Sequence, residues 1–179
     1  VRFLCSVMDS LRALTQEVDL EFQTESLLSV MEEAVLLVRD RKEENASLVA
    51  ELRIDPAITV EVNRHLMLQA LTNIIQNSVD AYANTDRTPK IVVSALAYNG
   101  TRVHVAIVDY GCGMSEEGVG DAFLLFATSK PQGTGFGLTI AKKIIDPWTI
   151  QLTTAVPYAM LLYDLNSIFI VSKKAAAGA

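Results

Sequence analysis

The chain has 179 residues, half of them hydrophobic, and sets 15 Lys and Arg against 21 Asp and Glu for a net charge of −6. That length suits one compact domain with a substantial core, and the acidic balance, with no run of basic residues, argues against nucleic acid as a partner. There is neither a long uninterrupted apolar segment nor a signal peptide, which predicts a soluble, cytoplasmic chain without direct membrane contact; the parent protein can still carry a membrane anchor.

In chain order, Phe3, Leu4, Val7, Leu11 and Leu14 form an apolar helical stripe. Val18 to Gln23 reads as a short strand and Ser26 to Lys42 as an amphipathic helix closed by the polar Glu43-Glu44-Asn45. Leu48 to Ile54 alternates as a strand, Asp55-Pro56 marks a turn, and Ile58 to Val62 is extended. Leu68, Leu71, Ile75 and Val79 then recur at helical spacing and predict a buried stripe. Asn73 and Asn77 lie four apart and Asp80 three further on, so the three polar groups share one helical face. An Asn amide oxygen can join phosphate oxygens and waters around Mg²⁺, which favours octahedral all-oxygen coordination. A solvated polar face on a core helix is the plainer alternative.

After a loop over Asn84 to Pro89, Ile91 to Ala97 and Arg102 to Val108 read as strands joined by the hairpin signal Asn99-Gly100. Asp109 ends the second strand, where its carboxylate can accept a hydrogen bond from an adenine amine. Gly111 and Gly113 let the chain turn sharply and let a planar base approach the backbone. Gly133, Gly135 and Gly137 precede an amphipathic helix over Leu138 to Ile145, whose unpaired N-terminal amides and partial positive charge suit phosphate. Leu138 breaks the dinucleotide pattern and no Gly-Lys-Ser/Thr follows for a Walker loop; a simple glycine hinge is the alternative. Pro147 should end that helix, and Ile150 to Thr154 and Ile168 to Val171 read as further strands. Cys5 and Cys112 have neither metal spacing nor a disulfide framework, so reduced thiols are expected. The pattern predicts one α/β sandwich, a mixed sheet with helices on one face.

In this order, Asn73-x-x-x-Asn77, Asp109-x-Gly111-x-Gly113-Met114 and Gly133-Thr134-Gly135-Phe136-Gly137-Leu138 resemble the N, G1 and G2 boxes of the ATP-binding domain of bacterial sensor histidine kinases. That superfamily includes gyrase, the ninety-kilodalton chaperones and mismatch-repair ATPases. Phe123 to Lys130, with Thr128, resembles the F box, although Leu125 stands where that box often has Pro. The resemblance spans residues 60–146 and weakens afterwards, where Pro147-Trp148 replaces the family's His-Gly-Gly-like turn and no glycine follows until Gly178.

The resemblance implies a two-layer α/β sandwich of the Bergerat type, with a mixed, mostly antiparallel sheet, and ATP and Mg²⁺ as cofactors. It makes Asn77 the metal ligand, Asn73 a polar neighbour of phosphates and metal, Asp109 the adenine contact, and Gly111, Gly113 and Met114 the turn beside the base. Gly133, Thr134, Gly135, Phe136, Gly137 and Leu138 supply the hinge and amides beside the triphosphate. Thr128 and Lys130 fall in a lid; Lys130 either neutralises the outer phosphates or is a solvated surface lysine. Asn73, Asn77 and Lys130 are thus the catalytic candidates, with Asp80 also beside the nucleotide.

By the same resemblance the γ-phosphate goes to a histidine on a dimerisation domain, in a homodimeric parent that serves a response regulator. That histidine is normally followed by an acidic residue, whereas His65 precedes Leu66 and His104 precedes Val105, so the acceptor is expected outside this chain. Residues 1–16 are then either the end of a dimerisation helix or a short helix packing on its own domain, 17–174 the catalytic domain, and 175–179 a tail without assigned function. Superfamily members that hydrolyse ATP to drive a clamp carry Glu as general base where this chain has Asn73, whose amide cannot take a proton from water. Poor ATPase activity is the expectation, the alternative being that Asp80 on the same face substitutes as the base. A regulatory module that binds nucleotide without transfer, and an anti-sigma-type serine kinase, are the alternatives. The lid, with Gly118, Gly120 and Pro131 among few bulky anchors, is expected to close over ATP. Hydrogen exchange across residues 115–132 should therefore slow on adding Mg-ATP; unchanged exchange would contradict a closing lid.

Overall fold

The structure, a computed structural model, describes residues 21–41, 45, 47–83, 85–98, 102–114, 118, 121–124, 135–145, 150–151 and 166–171. Ile91, Val93 and Ala95 point to the core along strand β4 (Lys90–Tyr98), as do Val103, Val105 and Ile107 along β5 (Arg102–Asp109). Both strands alternate because one face is covered and the other is not. They pair antiparallel from Ile91↔Asp109 to Tyr98↔Arg102. Asn99-Gly100 lies outside the described residues, but the strands on either side meet as a hairpin requires.

Strand β2 (Val49–Arg53) joins β4 in parallel, while β7 (Asn166–Val171) joins β5 antiparallel and carries the two-residue β6 (Ile150–Gln151) at the far edge. The resulting five-stranded order is β2-β4-β5-β7-β6, a mixed and mostly antiparallel sheet. Between β2 and β4 the chain makes β3 (Thr59–Val62) and helix α2 (Arg64–Asp80), the crossover that a parallel pair needs. β3 does not enter the large sheet. It pairs antiparallel with β1 (Gln23–Ser26) in a separate two-stranded sheet, from Gln23↔Val62 to Ser26↔Thr59. The expected early strand thus appears later than Val18–Gln23, whose residues before 21 lie outside the described set.

Helix α1 (Leu27–Arg41) starts one residue after the expected Ser26, because Ser26 ends β1 and its hydroxyl accepts the Ser29 N–H at 3.4 Å. Leu27, Val30, Met31, Ala34 and Val38 give α1 a continuous buried stripe. Asn63 caps α2, its side chain accepting the Leu66 N–H at 3.1 Å. The buried residues of α2 are Met67, Ala70, Leu71, Thr72, Ile74, Ile75, Ser78 and Val79, with Leu68 only half-buried. This face is wider than the sequence stripe because α2 packs on α1 and on α3 (Gly137–Ile145) as well as on β4 and β5. Arg64, at the start of α2, pairs with Glu25 of β1 and Glu33 of α1. Its hydrogen bond to Glu33 raises the guanidinium above its ordinary range. The small sheet and both helices are thereby tied at the surface.

Leu71 is completely buried where α2 meets the core. Leu71→Ala should cost about 2–5 kcal/mol of stability. In urea this appears as a lower midpoint with an unchanged slope; an unmoved midpoint would contradict the packing.

Candidate functional site

The pocket candidates gather around the outer edge of α2, because both glycine segments approach that helix. At the α3 end, the Asn73 amide donates to Gly137 O at 3.3 Å. A Cβ built on Gly137 would lie 3.9 Å from Asn73 Cβ and Cγ and 3.9 Å from Asn77 Nδ2. Asn73 and Asn77 therefore stand side by side at the N-terminus of α3, on the one helical face that their four-residue spacing implies. Phe136 accepts the first helical bond from Ile140 N at 2.8 Å and buries its ring to 1% exposure, which plugs the helix start into the core. Gly135 just before it has φ 68°, the left-handed region that favours glycine. The first-turn amides of such a helix have no intrahelical acceptor and face outward with the positive end of the dipole.

At the other end, the turn after β5 is fastened to the end of α2. Cys112 N–H donates to Ala81 O at 2.9 Å. A Cβ on Gly111 would stand 2.4 Å from Ala81 Cβ and 2.8 Å from its carbonyl oxygen, so only glycine fits this approach. Asp109 uses Oδ1 to accept the Gly111 N–H at 3.0 Å, an Asx turn that orients the carboxylate and leaves its other oxygen without a partner among the described residues. Gly113 has φ 71°, and Met114 closes the turn half-buried.

A polar chain backs the helix. Asn45, 1% exposed, donates to Val38 O at 2.9 Å and to Gln76 Oε1 at 3.0 Å. Gln76 in turn donates to Asp80 Oδ1 at 2.8 Å. Asp80 thus lies on the expected helical face, held by a Gln that the sequence pattern did not single out. Tyr82 was missed as well: its hydroxyl accepts the Tyr110 N–H at 2.9 Å and donates to Lys90 O at 3.0 Å. Beyond the pocket, Thr139 Oγ1 donates to Phe123 O at 3.1 Å and the Lys142 ammonium lies 5.2 Å from the Phe123 ring centre, so residues 121–124 rest on α3.

The structure therefore brings together Asn73, Asn77, Gly135, Phe136, Gly137 and Leu138 at one end of the α2 edge, and Asp109, Gly111, Gly113 and Met114 at the other. Thr128, Lys130, Gly133, Thr134 and most of the expected lid lie outside the described residues. Cys112 is exposed and free, Cys5 lies outside that set, and no helix among the described residues is long and apolar enough to cross a membrane.

Residues 62–160 match the family described as histidine kinase-, DNA gyrase B- and HSP90-like ATPase, a span that includes every candidate above. The C4-dicarboxylate transport sensor protein DctS of Rhodobacter capsulatus is 31% identical over 67% of this chain and 18% of its own length. Sensor protein FixL of Bradyrhizobium diazoefficiens is 30% identical over 78% of this chain and 28% of its own. The chain thus spans less than a third of these curated relatives. Among solved structures, the catalytic domain of histidine kinase ThkA superposes with a TM-score of 0.59 at 28% identity, covering 71% of this chain and 81% of its own. Acinetobacter baumannii histidine kinase AdeS shares the fold, with a TM-score of 0.74 at 24% identity over 96% of this chain and 80% of its own.

Gly111→Ala should push the turn off Ala81, cost about 1–3 kcal/mol and weaken ATP binding. Urea unfolding and calorimetry read the two effects; a variant with unchanged stability and affinity would show that the contact is not tight.

Proposed function

Since the chain belongs to the histidine kinase-, gyrase B- and HSP90-like ATPase family, it is an ATP-binding domain of the histidine kinase type, and we propose that it is the catalytic domain of a two-component sensor kinase. In this reading it presents the γ-phosphate of Mg-ATP to a histidine on a dimerisation domain outside the chain, for relay to a response regulator. The observation that carries it is the meeting of Asn73 and Asn77 with the N-terminus of α3 at Gly137. Helix-start amides and two carboxamides come together there, a donor set that suits a triphosphate.

The donor set fits Mg²⁺ bound together with phosphate. Among the described residues no cluster of three His, Cys, Asp or Glu could hold a metal alone, and a neutral Asn77 supplies one oxygen to an ion that keeps phosphate and water as its other ligands. When bound, the ion neutralises phosphate charge. The chain's own contribution is positioning: α3 amides for phosphate oxygens, Asn77 for the metal, and the Asp109 carboxylate for the adenine amine. Asn73 braces α2 against α3, since its amide already donates to Gly137 O, and it has no basic site to activate water. A pocket of this kind lowers the barrier by orientation and charge stabilisation, which suits transfer to a histidine better than hydrolysis.

Label from γ-labelled ATP should pass to the parent's histidine-bearing dimerisation domain added in trans, giving an acid-labile, alkali-stable phosphoprotein. ATP binding without transfer would favour a regulatory module instead. Asn77→Ala should reduce transfer by about tenfold or more, the worth of one charge-assisted contact. Steady-state ATP hydrolysis should be slow; fast hydrolysis abolished by Asp80→Asn would overturn the argument from Asn73.

A further inference from the structure

We propose that Tyr82 is a positioning residue for nucleobase recognition: its phenol oxygen takes the place of the next rung of the β4–β5 ladder and so sets where the Asp109 carboxylate faces. Tyr82 follows α2, is 5% exposed, donates to Lys90 O and accepts the Tyr110 N–H. The register pairs Ile91 with Asp109, which makes Lys90 and Tyr110 the next positions in line. Pro89 C=O is turned toward β2, where it accepts the Val49 N–H at 2.8 Å. Successive carbonyls of an extended chain alternate in direction, so Lys90 C=O points toward β5. A direct bond from Tyr110 N–H to Lys90 C=O would be the ordinary continuation. The phenol oxygen stands between the two groups, keeps them one atom further apart, and β5 ends at Asp109.

The consequence lies one residue back. Asp109 Oδ1 is committed to the Gly111 N–H, so the carboxylate moves only with the turn, and the turn is held at Tyr110 by the phenol and at Cys112 by Ala81 O. Adenine offers an amine to that carboxylate where guanine offers a carbonyl, so discrimination depends on where the carboxylate oxygen sits. Without the phenol, Lys90 C=O and Tyr110 N–H are left unpaired or close on each other, and either outcome displaces Asp109. Arg87 holds its guanidinium 5.7 Å from the Tyr82 ring centre, a cation–π contact on the same side chain. This inference rests on Asp109 as the adenine contact.

The test is the ratio of ATP to GTP affinity, measured by calorimetry on the whole chain for wild type, Asp109→Asn and Tyr82→Phe. Tyr82→Phe keeps the ring, its packing and the Arg87 contact and removes one oxygen. The ratio should fall about tenfold in Tyr82→Phe, the loss of one well-placed hydrogen bond. A phenol that only stabilises the fold would lower the melting temperature, or weaken both nucleotides alike, and leave the ratio at its wild-type value; that result overturns the inference. A wild type without preference for ATP, or a preference that survives Asp109→Asn, overturns the Asp109 reading and this inference with it. If Tyr82→Phe does not fold, hydrogen exchange on the wild type decides: a Tyr110 amide as slow as those of β5 supports the clamp, and a fast one refutes it.

Discussion

The rest of the structure depends on α2 being buried along one face while its opposite edge stays accessible. Ala70, Leu71, Ile74 and Ile75 lock the helix among α1, α3 and the sheet, so the edge that carries Asn73, Asn77 and Asp80 has little freedom to shift. Each end of that edge meets a glycine. Gly137 stands beside the two asparagines at ordinary contact distance, whereas Gly111 lets the β5 turn rest directly on Ala81, where a Cβ would clash. At the Gly111 end the contact is backbone on backbone, Cys112 N–H on Ala81 O, and at the Gly137 end it is the Asn73 side chain on a helix carbonyl.

That rigidity explains what kind of chemistry the site can support. Asn73 works as a strut between α2 and α3, its amide donating to Gly137 O, and a neutral amide has no basic site in that position. Asp80 carries a carboxylate in the last turn of α2, where no basic residue offsets the negative end of the helix dipole. The donation from Gln76, itself held by the buried Asn45, supplies part of what the dipole withholds. A chain of carboxamides running from the core to the pocket edge orients this acid without adding a second charge.

Much of the fold was legible because it is written in short-range pattern. Alternation along 91–97 and 102–108 reflects one covered sheet face, and the two glycine-rich motifs stand out because few side chains permit such turns. The edges were less legible. β3 looks like any extended segment, and nothing in Ile58 to Val62 says that it pairs with β1 in a sheet of its own. The buried face of α2 also takes in Met67 and Ile74, beyond the stripe of the sequence, in a helix that packs on two other helices as well as on the sheet. Asn45, Gln76 and Tyr82 carried no signal, being ordinary polar or aromatic residues until their partners are known.

By itself the sequence determined the three described helices and the paired strands of the central hairpin, because periodicity and glycine freedom are properties of a few neighbouring residues. Tertiary structure alone decided how those residues act together. The bond from Asn73 to Gly137 joins positions 64 apart and that from Tyr110 to Tyr82 positions 28 apart. Such contacts exist only once packing has brought the elements together, and their geometry follows from the burial of α2, which no local pattern encodes.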